Sequence, residues 1–216
     1  MQMIRPGTRV ANRVMARYDD ARQSASHAPS LSLFVFSIRG VRVFWEAAMW
    51  STVVYERLRA AGITLVAHVP DNIVAPIIRC FEADAAVTTV SCTREEEGVG
   101  IIAGGLLGGT RGALLMQTSG FGNCPNALGS LVVPYQLPLV MVIAGRGTLN
   151  EFNPAQRGMG RGITRMLDAL DIQHHTLDRP DTLEQTLDYA LTTAYLTSSP
   201  VAFIISSLLS GGKREA

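Results

Sequence analysis

The sequence predicts an α/β fold: a single three-layer domain with a mostly parallel sheet of about six strands and helices on both faces. Three observations predict it. From residue 50 onward, short β-rich runs alternate with segments of helical period, as βαβ units require. Residues 139–144 and 201–205 are apolar at every position, as strands covered on both faces must be. The chain has 216 residues, 47% hydrophobic and 17% charged, which is enough to bury one core and too apolar to stay disordered.

Residues 1–48 read differently from the rest. They hold seven arginines against Asp19, Asp20 and Glu46, and Pro6, Gly7 and the serines of residues 24–32 interrupt any long pattern. The apolar run 31–36 is too short to span a bilayer, and the order of charges around it does not fit a secretory signal. This stretch is expected to be an extension outside the fold, an Arg- and Ser-rich transit segment being the other reading. Met49 is a natural start for a domain over residues 49–216.

Each element follows from local pattern. Residues 51–61 carry Val53, Val54, Leu58 and Ala61 at helical spacing and stop at Gly62. Residues 63–69 are β-rich. Asp71 can cap a helix over 71–83. A strand is expected over 87–91, then a helix over 93–107 ended by Gly108-Gly109. Residues 113–117 form a strand, 118–122 a loop and 123–133 a helix. The apolar strand 137–144 leads into a loop over 145–158 and a helix over 163–170. Strand 173–177, helix 181–196 and strand 201–206 complete the pattern. Ligands of such sheets sit at the carboxyl ends of the strands, which points to the loops 70–72, 93–97, 118–123 and 145–156.

Several function classes fall away. The formal net charge is +1 and no basic stripe marks the domain, so no nucleic acid is expected as partner. No apolar run reaches 18 residues, so no membrane span is expected. Cys80, Cys92 and Cys124 have neither disulfide nor metal-site spacing, so no metal site is expected and a cytoplasmic location is the default. No P-loop and no G-x-S-x-G elbow occur. His174 and His175 are adjacent, so a strand points one inward and one outward. Cys92 reads as a small core residue.

Two segments carry candidate chemistry. In Arg94-Glu95-Glu96-Glu97-Gly98, three carboxylates follow a strand and open a helix. The helix macrodipole accounts for acidity there. It does not account for Gly98, Gly100, Gly104 and Gly105, each of which costs about 1 kcal/mol relative to alanine inside a helix. Close approach of another backbone or of a ligand would, so a tightly packed interface helix with a carboxylate at its entry is expected. In Met116-Gln117-Thr118-Ser119-Gly120-Phe121-Gly122-Asn123, a strand runs into a glycine-bracketed loop that can present backbone N–H groups and polar side chains. A plain connection capped by Asn123 explains that loop equally well.

Taken in order, Val69-Pro70-Asp71, residues 93–100, residues 114–123 with Asn126-Ala127-Leu128, Arg146-Gly147, and Gln156 with Met159-Gly160-Arg161 resemble the pyrimidine-binding domain of thiamine diphosphate enzymes. Within them the pattern is most similar to sulfopyruvate decarboxylase alpha subunits, with phosphonopyruvate decarboxylases as near relatives. The resemblance covers residues 50–208. It implies a thiamine diphosphate-binding fold of pyrimidine type and a glutamate hydrogen-bonded to N1′ of the cofactor's aminopyrimidine, the cofactor serving as electron sink for loss of CO2. The family sets this glutamate nine residues before a glycine late in the helix, and counting back from Gly104 gives Glu95, with Glu96 and Glu97 as alternatives.

By the same resemblance Gln117, Ser119, Gly120 and Asn123 lie near the aminopyrimidine or the substrate, and Asp71 and Asn72 lie at the pocket mouth. Arg146 is a candidate for an anionic substrate group, its planar fork matching a carboxylate, sulfonate or phosphonate; an ordinary surface arginine is the other reading. The chain departs from relatives at His68, where many have glycine, and at Asn72, where many have serine. Relatives hold the diphosphate and Mg2+ through a Gly-Asp-Gly motif, which is absent here. The implied assembly is a hetero-oligomer in which a separate beta subunit supplies that half of the site, across an interface near the Glu95 helix. The implied reaction is decarboxylation of a small 2-keto acid, 3-sulfopyruvate to sulfoacetaldehyde and CO2, in coenzyme M biosynthesis or C3-sulfonate breakdown. Phosphonopyruvate or another 2-keto acid is the alternative substrate, and a non-catalytic structural or regulatory partner is the alternative class.

Overall fold

The computed structural model describes residues 41–212, and the extension expected over residues 1–48 lies outside them up to residue 40. Helix α1, Val41–Ala60, starts ten residues ahead of the segment marked by apolar spacing. Trp50, Val54 and Leu58, four residues apart, put one face of it in the core. Then follow β1 (Leu65–His68), α2 (Ala75–Glu82), β2 (Thr88–Ser91), α3 (Glu95–Leu107), β3 (Gly112–Gln117) and the short α4 (Thr118–Phe121). Helical turn α5 (Pro125–Ala127) continues into a π-helical turn, Leu128–Val132. The chain ends with β4 (Val140–Ala144), α6 (Pro154–Ala169), β5 (Gln173–Leu177), α7 (Leu183–Thr197), β6 (Val201–Ile205) and α8 (Ser207–Ser210).

The six strands form one sheet in the order β2-β1-β3-β4-β6-β5, parallel throughout. Alternation along a strand divides the core into two layers. Val140, Val142 and Ala144 of β4 face the cluster built on α1, α2 and α7. Met141 and Ile143 face the cluster built on α3, α4, the π-helical turn and α6. From β1 the chain steps outward to β2 and returns on the other side of β1 as β3. The sheet order reverses there, which opens a crevice at the carboxyl ends of β1 and β3.

Three local expectations are corrected. Residues 118–121 are helical rather than loop, and the helix expected over 123–133 is one α turn over Pro125–Ala127 that passes into the π-helical turn. Helix α6 begins nine residues ahead of the expected start at 163. Its Asn153 Oδ1 accepts the Ala155 N–H at 3.0 Å, and Pro154 occupies the first helical position, so capping overrides the glycines that follow. His174 and His175 do point to opposite faces: one meets Asp168 at 3.0 Å and the other stacks on Phe203. Neither is fully buried or fully exposed, because β5 is an edge strand.

The glycines of α3 divide by face. A Cβ at Gly98 would overlap the Leu114 side chain, and one at Gly105 would overlap that of Leu65, so these two let the helix lie close on β1 and β3. Among the described residues nothing lies within 4 Å of a Cβ built at Gly100 or Gly104, which face outward.

Candidate active site

The expected site residues converge at the carboxyl edge of the sheet. Glu95 is the first residue of α3, after Arg94 in an extended conformation. It is 7% exposed. Asn123 Nδ2 donates to its Oε2 at 3.1 Å. A Cβ at Gly120 would overlap the Glu95 carboxyl group, so glycine is required where α4 crosses it. The partial positive charge at the N-terminus of α3 favours a carboxylate at this place.

The other two glutamates turn elsewhere. Glu96 accepts from Arg94 Nε, and that bond holds its carboxyl below the usual range. Glu97 Oε2 accepts the Thr93 N–H at 2.9 Å and is exposed. Of the three, Glu95 alone enters the crevice. Behind it, burial pushes the Cys124 thiol up to about 12, with Glu95 and Glu96 adding to the effect. The Cys92 thiol is raised as well, mainly by burial. Neither thiol is a nucleophile at neutral pH.

Asp71 and Arg146 meet across the reversal point. Arg146 Nη2 donates to Asp71 Oδ2 at 2.6 Å, and the side chains are only 7% and 5% exposed. Asp71 Oδ1 also accepts the Ile73 N–H at 2.8 Å, and the Arg146 N–H reaches Thr118 Oγ1 at 3.3 Å. Arg146 is therefore not an ordinary surface arginine. Asn72 beside it is exposed, and Ser119 is half-buried. Gln117, the last residue of β3, accepts through Oε1 from Gln156 Nε2 at 3.3 Å. Gln156 stood in the recognised motif without a role; the Asn-Pro cap three residues before it was the signal that it belongs to a helix aimed at this edge.

Six buried side-chain polar atoms among the described residues lack a partner, and three of them lie on this rim: His68 Nδ1, Arg146 Nε and Gln156 Oε1. Buried polar groups are ordinarily paired, so such a concentration marks a place where a ligand completes the bonding. His68 is 4% exposed, and burial holds its imidazole below its ordinary pKa, with Glu82 opposing. No group of His, Cys, Asp and Glu able to hold a metal ion occurs among the described residues. No helix among them is long and apolar enough to cross a membrane.

No family model matches the sequence. Comparison with known proteins is decisive nevertheless. The chain is 36% identical over 158 residues to "Sulfopyruvate decarboxylase subunit alpha" of Methanocaldococcus jannaschii, covering 73% of this chain and 94% of that one. The chain belongs to the sulfopyruvate decarboxylase alpha-subunit family. The alpha subunit of Methanothermobacter thermautotrophicus is likewise 36% identical, over 155 residues and 94% of its length. Phosphonopyruvate decarboxylase of Streptomyces viridochromogenes is 35% identical over 129 residues, 59% of this chain and 32% of that protein. Among solved structures, benzoylformate decarboxylase from Polynucleobacter necessarius superposes with a TM-score of 0.62 at 17% identity, over 77% of this chain and 31% of that one. The thiamine diphosphate-dependent 4-hydroxybenzoylformate decarboxylase of Rhodococcus jostii gives 0.58 at 20% identity, over 77% and 34%. The alpha-subunit family thus has the fold of thiamine diphosphate-dependent enzymes, and this member spans about a third of those larger chains.

Proposed function

We propose that the chain is the alpha subunit of a thiamine diphosphate-dependent decarboxylase converting 3-sulfopyruvate to sulfoacetaldehyde and CO2, with the diphosphate and Mg2+ held by a separate beta subunit. The observation that carries this reading is Glu95: a buried carboxylate at the start of α3, fixed by Asn123 and packed directly on Gly120. The outward face of α3 at Gly100 and Gly104 offers a smooth surface for that partner beside Glu95.

The cofactor, when bound, supplies the electron sink for loss of CO2. The chain supplies position and proton control. Glu95 would hold the pyrimidine N1′ by a hydrogen bond, and Asn123 fixes the orientation of its carboxylate. Gln117 and Ser119 line the crevice with polar groups. Arg146, oriented by Asp71, keeps its Nε as a buried donor for an anionic substrate group, with Asn72 at the mouth.

A second reading changes the acid and keeps the rest. The 35% identity to a phosphonopyruvate decarboxylase favours it, since sulfonate and phosphonate present similar tetrahedral oxyanions to an arginine. The test is CO2 release from each acid with thiamine diphosphate and Mg2+, using the chain alone and co-expressed with a candidate beta subunit. Release from 3-sulfopyruvate in the mixture alone is the expected result. Full activity of the isolated chain would overturn the split site. Turnover of phosphonopyruvate alone would establish the second reading.

A further inference from the structure

Gln156 is the third residue of α6, counted from its cap Asn153. A glutamine at that position commonly folds back to accept the N–H of the capping residue. Here Glu151 Oε1 already accepts the Asn153 N–H at 3.0 Å, so the Gln156 amide is released from capping. It turns inward and donates to Gln117 Oε1. The backbone on either side is fixed. Gly147, at φ +75°, lies where a Cβ would overlap the Gln156 carbonyl, and a Cβ at Gly160 would overlap the Arg146 carbonyl. Helix α6 and the loop after β4 therefore hold Gln156 in register with Arg146. Its Oε1 is buried without a partner.

An amide has two faces. Because Gln156 donates to Gln117 Oε1, the NH2 of Gln117 is the end left to point away from α6. A 2-keto acid with a second anionic group offers only acceptor oxygens, so it needs donors from the wall it meets. We propose that Gln156 is a positioning residue that fixes the orientation of the Gln117 amide, presenting its NH2 to the substrate. This rests on the keto acid reading above.

The test uses the complex with its beta subunit. Gln156→Glu keeps the shape but supplies only acceptors at physiological pH, so it would draw the NH2 of Gln117 toward α6 and turn its oxygen to the substrate. Gln156→Leu merely removes the constraint. Gln156→Leu is expected to raise KM about tenfold with kcat changed by less than about threefold, the scale of one lost hydrogen bond. Gln156→Glu is expected to raise KM further, although it is the closer mimic in shape. Gln156→Leu combined with Gln117→Leu should be no worse than Gln117→Leu alone. The dissociation constant of 3-sulfopyruvate, measured by calorimetry in the Glu95→Gln complex, should follow KM without turnover. A silent Gln156→Glu, or single effects that multiply in the double variant, would overturn the assignment while leaving the decarboxylase reading in place. A complex that binds no 2-keto acid at all would overturn both.

Discussion

Asn123 Nδ2 lies 3.1 Å from Oε2 of Glu95, joining the turn after α4 to the first residue of α3, 28 residues apart in sequence. The bond selects one orientation of the carboxylate. Asn123→Ala frees it, and a hydrogen bond to a charged group is worth about 1.5–3 kcal/mol. The expected result is a fall in kcat of roughly ten- to a hundredfold with KM little changed, read from steady-state kinetics of the complex.

Glu95→Gln keeps the volume and removes the carboxylate. Turnover should vanish while the thermal unfolding midpoint stays within a few degrees of the parent. Near-normal CO2 release from this variant would sink the assignment of Glu95.

Gly120→Ala adds one methyl group where Glu95 already sits. Because the carboxyl must move, activity should drop at least as far as in Asn123→Ala. The same variant with alanine also at 95 should recover stability but no activity, and a differential scanning measurement on both variants checks the steric cause.

The ion pair of Asp71 and Arg146 is nearly closed off from water. Arg146→Leu leaves a buried carboxylate without its partner, a loss of about 3–5 kcal/mol. Replacing both residues by leucine should return much of that stability. Urea unfolding of the single and double variants decides the matter: equal losses in the two would mean that the charges are not coupled.

Acid sensitivity follows from His68. Burial holds its folded pKa below the ordinary 6.5. Below pH 6.5 the unfolded chain takes up a proton that the folded chain resists. The stability is therefore full above that value and is lost as pH falls from it toward the folded pKa. His175, also held low mainly by burial, acts in the same sense. The urea midpoint should be lower at about pH 5.5 than at about pH 7.5, and His68→Leu should shrink the difference. An undiminished difference in that variant would remove His68 from the account.

The sheet was readable because its strands are written in apolar runs: residues 139–144 and 201–205 leave no other place than the middle of a covered sheet. Helix α6 was less readable. Gly158, Gly160 and Gly162 argue for a loop by propensity; the Asn153 cap starts the helix in spite of them, and of the three only Gly160 is demanded by a close approach, that of the Arg146 carbonyl. At the site, the run of three glutamates located the carboxylate to within a turn, but which one faces inward depends on Gly120 and Asn123, and only folding brings those two alongside it. Asp71 and Arg146 were both visible as candidates. Their pairing was not, since nothing local links residues 75 positions apart.

That separation governs when the site comes into being. Asp71 leaves β1, Glu95 follows β2, Asn123 follows β3, and Arg146 and Gln156 follow β4. A ribosome must deliver all four strands before Arg146 finds Asp71, and the ladders between those strands are all parallel, the slow kind to close. Earlier in synthesis the chain exposes a carboxylate and an arginine that have no partners and nothing to act on. The cluster at this edge is thus assembled only once β1 to β4 have paired, and a chain cut short before β4 does not carry it.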